Sequence, residues 1–114
     1  QPLRVGKIGR TTGYSEGVID NWTWEGSLTF HTPKGPRQAR FMEQLAILPG
    51  SGWTKFSEPG DSGAIVVELK SPRRAIGMVI GASGPFSIVT PIYRILKVLP
   101  RNLRSHSWEV QFVS

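Results

Sequence analysis

The sequence predicts an all-β domain, a barrel or a sandwich, with six or seven strands and a single helix near the C-terminus. Three observations carry that class. The apolar runs are short and rich in β-branched residues, falling at 3–8, 17–24, 28–30, 39–48, 64–69, 75–80 and 86–92. Turn-forming residues divide them. Only one stretch has helical spacing. In order, Thr12-Gly13 separates the first two runs, Glu25-Gly26 breaks the second from the third, and Pro33-Lys34-Gly35-Pro36 ends the third. Pro49-Gly50-Ser51-Gly52, Ser71-Pro72 and Gly84-Pro85 punctuate the rest. From Pro91 onward, Ile92, Ile95, Leu96 and Leu99 recur at three and four residues until Pro100 stops the turn. The tail 108–113 alternates apolar and polar residues and reads as one further strand.

Length and composition bound the function. The 114 residues make one domain, 1–114, which hides roughly two thirds of its unfolded surface. At 39% hydrophobic, with four Trp and five Phe, the chain has what a packed core needs, which argues against disorder. The longest near-continuous apolar stretch, 75–82, has eight residues, whereas a membrane-spanning helix needs ~20. No membrane partner is expected. No signal peptide opens the chain, and Gln1 in place of Met reads as a processed product or an excised domain. The absence of cysteine excludes disulfides, thiolate metal sites and cysteine nucleophiles, and it points to an intracellular setting. Asn21-Trp22-Thr23, a possible glycosylation sequon, points the other way. The net charge of +6 permits an anionic partner without identifying one.

The sharpest chemical signal is Gly60-Asp61-Ser62-Gly63, directly ahead of the run at 64–69. A nucleophilic serine needs a tight turn whose backbone N–H groups share the space of its Oγ; here Gly60 and Ser62 would supply the oxyanion hole. Gly60 admits a backbone conformation that a side chain would block. The same four residues would also make an ordinary turn between strands.

Two further segments join this one. Val5-Gly6-Lys7-Ile8-Gly9-Arg10-Thr11-Thr12-Gly13-Tyr14-Ser15-Glu16-Gly17-Val18-Ile19 resembles the opening hairpin of the second barrel in chymotrypsin-fold serine peptidases. The likeness is nearest to the α-lytic and streptogrisin branch, with its Gly-Arg-Thr-Thr-Gly turn. Ser87-Ile88-Val89-Thr90-Pro91-Ile92 resembles the strand-to-helix ending of the same enzymes. The three segments occur in the family's order and span about residues 3–100, leaving 101–114 as a tail. The chain departs from secreted relatives at Gly6 and Glu16, where they often carry a cysteine pair. It departs again at Gly63-Ala64, where many have two glycines.

The resemblance implies a six-stranded antiparallel Greek-key barrel with a C-terminal helix, one half of a two-barrel serine peptidase. Ser62 is then the nucleophile, and the catalytic His and Asp come from an N-terminal barrel on a polypeptide outside these residues. His31, in a strand-like run, and His106, in the polar tail, do not sit in a setting like the family's base. The chain alone is catalytically incomplete, since a serine hydroxyl needs an adjacent base. The substrate is a peptide or protein, and no metal or organic cofactor is implied. The specificity pocket maps to Phe56 at its base and Ile80-Gly81-Ala82 along its side, neutral and partly apolar unless a shift of register brings Glu58 near. In the α-lytic-like branch the Arg of the hairpin turn pairs with the Asp before the nucleophile, which implies an Arg10–Asp61 ion pair. A carboxylate under that loop is costly to bury unless paired.

Two other classes compete. One is a protease-like scaffold that has lost catalysis, which the intact Gly60-Asp61-Ser62-Gly63 argues against. The other is a basic nucleic-acid-binding module built on Arg73, Arg74, Arg94, Lys97, Arg101 and Arg104, with Trp22, Trp24 and Trp53 as stacking surfaces. Nucleic acid is the unlikelier partner, because Pro100 cuts the basic stripe short and tryptophans in alternating strands serve cores.

Overall fold

Strand periodicity sets the first element. In β1 (Arg4–Gly9), Val5 and Lys7 are fully buried while Ile8 is 56% exposed, so the odd positions face inward. The structure, a computed structural model, describes residues 3–98, with side chains through residue 96. Five more strands follow: β2 (Gly13–Thr32), β3 (Gly35–Pro49), β4 (Ile65–Glu68), β5 (Ala75–Ser83) and β6 (Phe86–Pro91). A short helix, α1 (Ile92–Val98), ends the described chain. Leu99, Pro100 and the predicted strand at 108–113 lie outside the described residues.

All neighbouring strands are antiparallel, and the sheet closes on itself in the order β1-β2-β3-β6-β5-β4. Strands β4, β5 and β6 are sequential neighbours, and β3 lies beside β6, which is the Greek-key arrangement. Closure leaves no free edge in the ring itself. The barrel interior holds Val5, Ile19, Leu45, Ile47, Phe56, Val66, Val79 and Val89.

One expected turn is not a turn. Glu25-Gly26 lies inside β2, which runs unbroken for 20 residues. Register shifts between Ile19 and Asn21, Asn21 and Trp24, and Trp24 and Gly26 absorb the irregularity as bulges. The Asn21 side chain accepts a hydrogen bond from the Thr23 amide at 2.8 Å, giving the backbone there a local partner. The β2–β3 ribbon outruns the barrel, and its residues pack against the sheet's outer face. There Leu28, Trp24, Phe30 and Phe41 join Ile80, Phe86 and Ile88 in a second apolar cluster. Ala46 and Ile88 belong to it because they alternate with the inward-facing Leu45, Ile47 and Val89.

The connection from β3 to β4 crosses one end of the barrel. Phe56, 1% exposed, anchors it in the interior cluster. Its exit is stitched to β5 by Gly63 N–H to Val79 O at 2.8 Å and Val79 N–H to Ala64 O at 2.9 Å. The 60–63 loop is thus fixed at both sides. No helix among the described residues is long and apolar enough to cross a membrane.

Candidate active site

Ser62 stands exposed on a turn between the buried Asp61 and the start of β4. Gly60 (φ 102°) and Gly63 (φ 96°) flank the pair in the left-handed region, where a side chain is strained. The Asp61 N–H is used by Glu58 O at 3.0 Å, and the Gly63 N–H by Val79 O. Among the described residues the N–H groups of Gly60 and Ser62 and the Ser62 hydroxyl have no hydrogen-bond partner. The loop therefore offers a hydroxyl and two unengaged donors to an incoming group.

Asp61 holds this loop from below and is 1% exposed. Its Oδ1 accepts the N–H of Thr11 at 2.8 Å and of Thr12 at 3.1 Å. Its Oδ2 accepts Thr12 Oγ1–H at 2.6 Å and the Glu58 N–H at 2.9 Å. Burial alone would raise the carboxyl; the Thr12 hydroxyl and the Glu58, Thr11 and Thr12 amides outweigh it and hold the pKa at about 2.

Arg10 is not the cation beneath this carboxylate. It is exposed, and among the described residues it forms no ion pair. It lies in the turn beyond the end of β1, which presents the backbone amides of Thr11 and Thr12 to Asp61 while the Arg10 side chain faces out. The buried cation is Lys7. Its Nζ donates to Thr12 Oγ1 at 2.5 Å and to Gly13 O at 2.9 Å, and lies 5.6 Å from the Phe56 ring centroid. Thr12 joins the two charges: its hydroxyl accepts a hydrogen bond from Lys7 and donates one to Asp61. Burial lowers the Lys7 pKa, and the negative charge of Asp61 partly restores it. The signal for Lys7 was present in the sequence, since it shares the alternation phase of Val5 in an inward-facing strand.

The low Asp61 pKa makes an acid-stability prediction. A carboxyl at about 2 in the fold, against an ordinary 3.8, stabilises by about 2 kcal/mol at neutral pH. That contribution is complete above the unfolded value and is lost as pH falls through the folded one. Carboxyl-detected NMR should follow Asp61 to a midpoint of about 2, with the denaturation midpoint falling alongside. An Asp61 carboxyl titrating in the ordinary range would contradict the hydrogen-bonded arrangement.

The four residues mapped to the pocket divide. Phe56 and Ala82 line a groove of about 310 Å³ that reaches Pro59, one residue before Gly60. Ile80 packs instead in the outer cluster, and Gly81 faces Leu28 across the sheet, so neither lines it. Glu58 does line the groove, ion-paired to Lys55. The polar lining residues that the sequence did not mark are Thr54, Lys55, Ser57 and Ser87, and the Oγ atoms of the two serines are 2.5 Å apart.

His31 is exposed near the ribbon tip, opposite Pro36, and His106 lies outside the described residues. Of the basic stripe, Arg94 is tied to Glu43 at 2.5 Å, and Trp24 is packed into the outer cluster. Among the described residues no three His, Asp or Glu side chains form a group that could hold a metal ion. No protein-family model matches the chain, and no curated protein matches it.

Proposed function

We propose that this chain supplies the nucleophile and oxyanion donors of a serine endopeptidase, completed by a His- and Asp-bearing barrel on another polypeptide segment. In this reading the closed ring is the second barrel of a chymotrypsin-fold peptidase. The observation that carries it is the 60–63 loop. An exposed serine sits between two left-handed glycines, with the Gly60 and Ser62 amides unengaged and a hydrogen-bonded carboxylate locked underneath. Such donors are useful only when held rigidly before charge develops, and the Asp61 network supplies that rigidity. Ser62 Oγ attacks the scissile carbonyl, its proton passes to the partner's histidine, and the Gly60 and Ser62 amides hold the resulting oxyanion.

A fluorophosphonate probe tests this. The 114-residue chain alone is expected to label poorly, and co-expression with a His- and Asp-bearing barrel should restore labelling at Ser62. Labelling that survives Ser62→Ala means that another residue is the nucleophile. Absence of labelling in the completed protein leaves the loop without catalysis and supports a scaffold instead.

A further inference from the structure

The groove beside the 60–63 loop has a defined floor. Ser87 is on the same strand phase as the inward-facing Val89, so its hydroxyl lies at the mouth of the barrel interior. The segment 54–59 crosses that mouth, and Ser57 meets Ser87 there, Oγ to Oγ at 2.5 Å. Pro49, Ala82, Pro85 and Phe86 give apolar surface around the pair. The ionisable residues lining the groove, Lys55 and Glu58, are paired with each other. Its net charge is zero.

Hydrogen-bond counting selects the occupant. The Thr54, Ser57 and Ser87 hydroxyls bring three donors, and one is consumed between Ser57 and Ser87. Two O–H groups and several lone pairs remain along the groove. A hydrocarbon side chain would cover them and leave the remaining donors unsatisfied. A carboxylate could accept those donors but would be buried without a spare cation, since Lys55 is taken; an ammonium would likewise find Glu58 taken. A carboxamide offers an oxygen with two lone pairs and two N–H donors, more than a single side-chain hydroxyl brings, while adding no charge.

We infer that this groove binds an uncharged side chain ending in a carboxamide, glutamine or asparagine, and so sets the residue preferred beside the scissile bond. The second half of that statement rests on the peptidase reading. The first half rests only on the groove.

The binding test uses the 114-residue chain in a 15N NMR titration with N-acetyl methylamides of Gln, Asn, Leu, Glu and Lys. The Gln or Asn compound should shift the amides of Ser57, Phe86 and Ser87 and bind about tenfold more tightly than the other three. Ser57→Ala, on the loop, and Ser87→Ala, in the strand, should each remove the preference. Equal binding of Leu, or a preference unchanged in both variants, overturns the inference. Fluorophosphonate labelling is read separately. Labelled Ser62 without carboxamide preference sinks the groove assignment alone; carboxamide preference without labelling sinks the peptidase reading and leaves a binding groove.

Discussion

Replacing Lys7 by methionine is expected to cost the fold about 3 kcal/mol, the scale of removing two hydrogen bonds made by a buried charged donor. For a domain of this size that lowers the melting temperature by roughly 15 °C. Methionine reproduces much of the unbranched stem against Phe56 but removes the ammonium, so Thr12 Oγ1 and Gly13 O lose their donor. Asp61 also loses the favourable influence of the Lys7 charge. Of its four hydrogen bonds, the one from Thr12 Oγ1 depends on the orientation of a hydroxyl to which Lys7 itself donates. Arg10→Met is the control, because Arg10 is exposed and unpaired among the described residues. It should change stability by no more than about 0.5 kcal/mol, as surface substitutions do. Thermal denaturation of the two variants side by side decides the matter. An Arg10→Met loss equal to that of Lys7→Met would restore the direct guanidinium–carboxylate pair implied by resemblance.

The contrast between Lys7 and Arg10 shows what a sequence carries and what it does not. Strand alternation is local, so β1, β4, β5 and β6 and most of their turns can be read from residue order. The helix start after Pro91 is equally local. Glu25-Gly26 misleads because the same residues that make a turn also make a bulge; which one forms depends on whether the ribbon has a surface to pack on. Here Ile80, Phe86 and Ile88 provide it, and they lie more than fifty residues downstream. The 60–63 loop was legible because its glycines and serine are contiguous. Its support was legible only as a need for a buried counter-charge. Naming Lys7 required knowing which face of β1 turns inward. The floor of the groove was hidden altogether: Ser57 and Ser87 are thirty residues apart, and no local pattern marks either.

The docking of the β1–β2 turn against the 60–63 loop leads to a second large effect, at Gly9. Gly9 has no left-handed backbone angle, so alanine fits its main-chain conformation and any penalty is steric. A Cβ built there is driven into Asp61 Oδ1, the atom already held by the Thr11 and Thr12 amides. The carboxylate cannot yield without breaking those bonds, and the turn cannot lift without taking the amides with it. Either way a buried charge loses two hydrogen bonds, each worth about 1.5–3 kcal/mol when the acceptor is ionised. Gly9→Ala should therefore lower stability by about 3 kcal/mol and raise the Asp61 pKa from about 2 toward its ordinary 3.8. On the proposed peptidase reading, Ser62 labelling in the completed protein should slow by roughly 10²–10³, the usual cost of misplacing one oxyanion donor. Gly13→Ala separates this from a general glycine effect. Gly13 does have a left-handed angle, φ 66°, yet a Cβ there meets nothing within 4 Å. It should cost about 1 kcal/mol of backbone strain and leave the Asp61 titration where it was. If Gly9→Ala and Gly13→Ala move the Asp61 pKa equally, the turn does not clamp the carboxylate, and the 60–63 loop is held by something other than the β1–β2 turn.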